Sequence, residues 1–354
     1  MKSAKEQNDL RGPVKTVRIE TSEFKEEEGQ RIEKPWYARS LAFDPEGNLT
    51  EEIHHNSDGS SFRTVYTYDD ASGLLAEITH HDGSGAAVSK MVYEYDEEGR
   101  KIKEAAVKAD NTREVLKTFT YNADGGYIEE QTFDESFFKE DVGIIYGIEG
   151  TESSYVVNGT HSIKVVRDAE SKPREALFYD IGGVLLNRIV FTYDGEGKLI
   201  EETQHAGDVF PFGQCNVNAP AADITAAEEP QRHVPTEEEL AEIAKMFAPG
   251  TPLLKQVYKY DERGRLIESA MMFADTLADK RDFVYDAAGH KVEVAYYDED
   301  GSLRRTAIFT REYDAHGNWT KELVSSASTW DAEFNTSVPS VVHRRIITYY
   351  ENPS

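Results

Sequence analysis

Cysteine is nearly absent from this chain of 354 residues: Cys215 stands alone, so no internal disulfide forms and cysteine usage leaves the compartment open. Long apolar runs are missing too. No stretch approaches the roughly 20 residues that cross a bilayer as a helix, and MKSAKEQNDL lacks the apolar centre of a secretory signal. Positive charge is scarce, with 39 Lys and Arg against 66 Asp and Glu and a formal charge of −27. Such a chain repels phosphate backbones, which argues against nucleic acid and anionic lipid surfaces as partners. There is no Gly-rich phosphate loop, no GxSxG elbow and no His-Glu-x-x-His helix. No cofactor is expected.

What the chain does have is a phrase. YTYDDASGLL (66–75) returns as YEYDEEGRKI (93–102), FTYNADGGYI (119–128), FTYDGEGKLI (191–200), YKYDERGRLI (258–267), FVYDAAGHKV (283–292) and REYDAHGNWT (311–320). Pairs such as Tyr66 and Tyr68, Tyr93 and Tyr95, and Phe191 and Tyr193 lie two residues apart, which puts both rings on one face of a strand. In the following Asp-x-x-Gly, Asp can bond the backbone two residues on, and Gly accepts the positive φ of a type I turn that meets a bulge. The phrase therefore reads as a β-hairpin: aromatic strand, turn, aliphatic strand. A second series of turns, NSDGS (56–60), HDGSG (81–85) and KADN (108–111), falls between these copies, so that a repeat of about 26 residues holds two turns. The expected fold is all-β, a long antiparallel meander on the order of 20 strands. Open sheets seldom exceed about 10 strands without curling, so an open curled sheet, a partial barrel or a spiral is expected.

Residues 1–354 read as a single repeat domain, with regular copies over about 37–133 and 179–350. Residues 134–178 keep apolar alternation but have degenerate turns. Residues 206–252 are rich in Ala and Pro and carry no strand period, which marks an irregular insertion. Within it Thr236 and Glu239 form a capping box, and Leu240, Ile243, Ala244 and Phe247 share one face, predicting a helix over 236–247 that stops at Pro249-Gly250.

Tyr-Asp-x-x-Gly-x-Leu every two dozen residues resembles the YD repeat of the RHS family, which occurs in bacterial Rhs proteins, insecticidal toxin complexes and teneurins. The opening LRGPVKTVRIE and closing RRIITYY are similar to stand-alone bacterial proteins of this type. The resemblance implies a continuous β-sheet and an exported protein, secreted, periplasmic or held at the cell surface. DPEG (44–47) is similar to part of the cleavage signature of the large members, but its place near the N-terminus makes it another repeat turn. With no cargo domain, a toxin shell is not expected.

The remaining constellations have bland readings. His54-His55 and His80-His81 lie one repeat apart, yet nothing supplies further metal ligands. The periodic Glu residues, such as Glu52, Glu104, Glu202 and Glu322, read as a solvated sheet face with interleaved Lys. Asp96, Asp194 and Asp261 read as turn caps. Aromatic rings are the best binding candidates, because exposed rings stack on sugars or anchor proteins; Trp36, Trp319 and Trp330 are singled out. The expected function is thus a non-catalytic extracytoplasmic scaffold that binds carbohydrate or a protein partner through its sheet. The alternative is a hydrolase whose site, including His205 and Cys215, forms where the 206–252 insertion meets the sheet.

Overall fold

The computed structural model describes residues 4–108, 110–133, 145–148, 151, 154–156, 160–208, 248–273, 275–328 and 339–351. Among them one short helix, α1 (Ala4–Gln7), precedes an antiparallel β meander in which twenty strands join a sheet. In chain order these begin β1 (Val14–Glu27), β2 (Gln30–Phe43), β3 (Leu49–Asn56), β4 (Ser61–Tyr68), β5 (Leu75–His81), β6 (Ala87–Tyr95), β7 (Lys101–Val107), β8 (Arg113–Tyr121) and β9 (Tyr127–Thr132). A separate two-stranded hairpin follows, β10 (Ile145–Gly147) with β11 (Ser154–Val156). The meander resumes with β12 (Ser162–Arg167), β13 (Pro173–Tyr179), β14 (Leu185–Tyr193), β15 (Leu199–Ala206), β16 (Pro252–Tyr260) and β17 (Leu266–Phe273). It ends with β18 (Thr276–Tyr285), β19 (Lys291–Tyr297), β20 (Leu303–Tyr313), β21 (Trp319–Ser328) and β22 (Val341–Tyr349). The helix expected over 236–247 and most of the 206–252 insertion lie outside the described residues.

The chain divides into two compact units. One unit, Met1–Thr118 with Asp279–Ser354, carries most of β18, then β19 to β22, β1 to β7 and most of β8 in that spatial order, because β22 pairs with β1. The register there runs from Val14 opposite Tyr349 to Glu23 opposite Val341, so the first and last strands are zipped along their length. The other unit, Phe119–Ala278, pairs β9 directly with β12 and then runs in sequence order to β17. Each unit has its own apolar core. In the first it gathers Leu10, Val14, Val17, Leu41 and Phe43; in the second, Ile163, Val165, Ala176, Phe178, Ile189 and Phe191.

The turns share one rule, except at Asp69, where the turn is one residue longer and Gly73 donates to the Asp69 carbonyl. In β6–β7 the Asp96 N–H donates to the Arg100 carbonyl at 2.9 Å and the Gly99 N–H to the Asp96 carbonyl at 3.0 Å. The Asp96 Oδ1 then accepts from the N–H of Arg100 at 2.8 Å and of Glu98 at 3.1 Å. Gly99 has φ of 76°, and the register slips by one residue at Tyr95. This is the type I turn closed by a bulge, in which a residue with positive φ avoids the steric cost of Cβ. The Asp194, Asp261, Asp286 and Asp314 turns repeat its backbone bonds. So do those of the second series, with Asn111 and Ser171 taking the glycine's place at φ of 64° and 63°.

Tyrosines then tie one repeat to the one before. The hydroxyl of Tyr68 donates to the carbonyl of Leu49 at 2.9 Å, Tyr95 to Leu75 at 2.8 Å, Tyr193 to Pro173 at 2.8 Å and Tyr260 to Leu199 at 2.8 Å. The other ring of the pair meets a glutamate: Tyr66 donates to Glu52 at 3.2 Å and Tyr258 to Glu202 at 2.7 Å. The solvated reading of the Glu row is therefore corrected in part. Glu52, Glu129 and Glu202 are buried, held by these phenols and, for Glu129, by Arg167 at 3.1 Å. Neighbouring Glu51, Glu77 and Glu268 lie on the other face and pair with Arg63, Lys90 and Lys259.

Two outcomes follow from this architecture. Burial pushes the Tyr193 hydroxyl up to about 12, and its bond satisfies a backbone carbonyl. Tyr193→Phe should therefore cost about 1 kcal/mol of unfolding free energy in urea melts, with an unchanged far-UV spectrum; a cost near zero would remove the tie between repeats. The backbone N–H groups of Lys198, Arg265 and His290 hold Asp194, Asp261 and Asp286 below the usual carboxylate range. An unfolded Asp takes up its proton first as pH falls, so this stability is complete above about pH 5 and drains away below about pH 4. Urea midpoints measured from about pH 6 to pH 3 should fall, and by less in a triple Asp→Asn variant.

Candidate binding site

The first hairpin is the longest in the chain, and its far end outruns the neighbouring strand. Pairing of β2 with β3 starts only at Tyr37 opposite Asn56, which leaves Gln30–Trp36 without a strand partner on that side among the described residues. On the β1 side Thr21 faces Tyr37 and Ser22 faces Pro35, so Trp36 is the extra residue of a β-bulge. Bulges re-aim a side chain, and here the indole is thrown outward with 62% of its surface exposed. It borders an open notch of about 520 Å³ lined by Trp36, Tyr37, Asn56, Ser57 and Asp58.

The polar wall of this notch is the β3–β4 turn. Gly59, at φ of 84°, donates to the Asn56 carbonyl at 3.1 Å. The Asp58 Oδ1 accepts from the Ser60 N–H at 2.8 Å and the Ser60 hydroxyl at 2.6 Å, and these bonds hold its carboxyl below the usual range. Asp58 is thus an anchored anion at the rim.

Behind the notch lies a connected polar set. The Tyr37 hydroxyl hydrogen-bonds the His54 Nδ1, and the His54 Nε2 lies 2.5 Å from the Glu52 Oε1. The same oxygen accepts from the Arg39 Nε at 2.5 Å, and the other carboxylate oxygen from the Tyr66 hydroxyl. Burial alone would raise the Glu52 pKa, but Arg39, with His54 and Tyr66, outweighs it and holds the group lowered. Phe62 stacks on His54 with ring centroids 4.7 Å apart and is itself half exposed. An indole and a phenol from the middle of β2 therefore line the notch, and an imidazole–phenyl stack from the end of β3 and the start of β4 lies behind it.

The three singled-out tryptophans have different fates. Trp36 is presented to solvent. Trp319 is half buried beneath the guanidinium of Arg345, 3.7 Å from the ring centre, whose nitrogens donate to the carbonyls of Asn8 and Asp9. Burial pushes Arg345 down to about 10, so this stack is part of the clasp on the N-terminal segment. Trp330 lies outside the described residues, as does Cys215. His205 bonds the Gly250 carbonyl at 3.0 Å through Nδ1. The histidine pairs do not converge: His80 is held by Thr64 at 2.9 Å and His81 by the Gly85 carbonyl at 3.1 Å. Among the described residues no cluster of three or more metal-ligating side chains occurs. Sequence reasoning singled out Trp36 but missed Tyr37, Asn56 and Asp58 beside it. The NSDGS turn that directly follows His54-His55 reads from sequence as a turn and not as the wall of a site.

No family model matches the chain, and no curated protein matches it. Several solved structures align weakly. A porin-like protein from Bacteroides uniformis covers 96% of this chain and 98% of its own, at 11% identity and a TM-score of 0.30. A TcdB2-TccC3 structure covers 88% of this chain but only 19% of its own, at 12% identity and a TM-score of 0.22. A domain assigned as an outer membrane lipoprotein-sorting protein from Vibrio parahaemolyticus covers 57% of this chain and 83% of its own, at 11% identity and a TM-score of 0.15. The assignment to the RHS/YD-repeat family is corrected by these results: no family model carries it, and the similar structures aligned over most of their own length are porin-like, lipoprotein-sorting and DUF1329 proteins. Physically, Tyr-Asp-x-x-Gly encodes a bulged hairpin turn, and any antiparallel meander can use it.

The two described tryptophans should separate in mutagenesis. Trp36→Ala should change unfolding free energy by less than about 0.5 kcal/mol, as expected of an exposed ring. Trp319→Ala should cost about 2 kcal/mol through lost packing and cation–π contact. Chemical denaturation of both variants checks this, and equal costs would contradict the assignment.

Proposed function

We propose that this is a non-catalytic binding protein of the cell envelope, secreted, periplasmic or surface-held, and that it takes carbohydrate at the Trp36 notch. The observation that carries the reading is the bulge: it costs ladder pairing and leaves an indole exposed beside an anchored carboxylate and two further polar side chains. Sugar recognition asks for that pairing of an apolar ring face with fixed hydrogen-bonding groups. The hydrolase alternative draws no support from His205, whose Nδ1 is engaged by the backbone.

No helix among the described residues is long and apolar enough to cross a membrane. The exposed sheet face carries charged pairs in mid-strand, Arg63–Glu51, Lys90–Glu77 and Lys103–Glu94. A membrane barrel needs an outward apolar band about 25 Å tall, so these pairs support a water-facing sheet.

A glycan array followed by calorimetry on the best neutral oligosaccharide tests the proposal. Trp36→Ala should weaken binding at least tenfold while Trp319→Phe leaves it unchanged. Binding that survives Trp36→Ala would move the site elsewhere, and turnover of the glycan would overturn the non-catalytic reading.

A further inference from the structure

We propose that the Trp36 notch prefers a sugar carrying a free amino group, with the Asp58 carboxylate selecting the ammonium beside the exposed indole. This rests on the binding reading and adds the charge class of the ligand.

Charge at the notch is one-sided. Of the lining residues Trp36, Tyr37, Asn56, Ser57 and Asp58, only the last is charged, and it is an anion. Cations on the flanking strands are already taken: Glu27 holds Lys34, Glu52 holds Arg39 and Glu51 holds Arg63, while Arg31 lies over the Phe24 ring, 4.8 Å from its centre. Asp58 is different. The Ser60 hydroxyl and N–H, at 2.6 and 2.8 Å from Oδ1, keep its carboxyl below the usual range, and no cation is among the groups that hold it there. The first-series aspartates Asp96 and Asp261 instead pair with Arg100 and Arg265 of their own turns, at 2.7 and 2.6 Å. Asp58 is therefore an anchored anion with no counterion, ionised at every pH at which an amine is protonated.

An ammonium gains twice from this arrangement. It answers the carboxylate by charge, and it is attracted to the electron-rich face of an indole, which this notch presents to solvent. The overall charge of −27 draws cations and repels acids at longer range. A neutral sugar keeps the ring contact and loses the charge term, and a uronic acid meets Asp58 as a like charge. Affinity should thus fall in the order amino, neutral, acidic.

Asp82 separates a local effect from the general field. Its Oδ1 accepts from the Ser84 hydroxyl at 2.6 Å and the Ser84 N–H at 2.9 Å, again with no cation holding it, yet it does not line the notch. It is the same turn without the indole.

Calorimetry with fully deacetylated chitohexaose, cellohexaose and hexagalacturonate at about pH 6 tests this, because the first two differ only in an amine or a hydroxyl at C2 of each ring. Wild type should bind the amino sugar about tenfold more tightly than cellohexaose, and this advantage should shrink as NaCl rises from about 20 mM to about 500 mM. Asp58→Asn, whose amide oxygen can still accept from Ser60, should bring the two affinities within about twofold, whereas Asp82→Asn should leave the ratio as in wild type. Equal affinities in wild type, or a ratio that survives Asp58→Asn or falls equally in Asp82→Asn, with binding still abolished by Trp36→Ala, would sink this proposal and leave the binding reading standing. Binding of none of the three sugars would sink both. Circular dichroism checks that the variants fold, and the salt dependence is read on the wild-type protein, so misfolding of a variant leaves the proposal open to refutation.

Discussion

Register is the constraint on which everything else hangs. Side chains alternate across a strand with a period of two, so a slip of one residue would turn every phenol and glutamate of a repeat to the wrong face. The bulged Asp-x-x-Gly turn removes that freedom, because Asp96 and its counterparts fix both the turn length and the point at which the ladder shifts. Only with the register set can Tyr68 find the Leu49 carbonyl and Tyr66 find Glu52. The polar ties are thus consequences of the turn and reinforce it in turn.

These ties also explain how a sheet with so many carboxylates stays folded. One row of glutamates is buried, and each described member of it is met by a phenol or a guanidinium from an adjacent strand. The other row faces water beside Lys and Arg, where pairs contribute little individually but prevent like charges from standing opposite each other. The net charge of −27 is therefore carried by a framework that separates its anions into two differently managed sets.

Much of this was legible in the residues. The seven copies of the phrase specified hairpins, their spacing specified an antiparallel meander, and an expected strand count on the order of 20 matches the twenty found in the sheet. The burial of Glu52, Glu129 and Glu202 was not legible, because neighbours such as Glu51 and Glu52 differ only in which face the upstream bulge assigns them. The bulge at Trp36 was hidden for a related reason: it is a mismatch between two strands, and no property of β2 alone reveals it. The family inference rested on a turn code, and a turn code reports a geometry that any antiparallel meander can use.

The pairing of β22 with β1 has a consequence for biosynthesis. Thr21 meets His343 across 322 residues of sequence, and Asn318 grips the backbone of Arg11. On the ribosome β1 emerges first and waits tens of seconds for the strand that covers its open side. During that interval β2 and the Trp36 bulge hang on a hairpin supported from one flank only. The Trp36 notch is therefore among the last parts of the sheet to be completed, and loss of β22 would expose the edge of the hairpin that carries it.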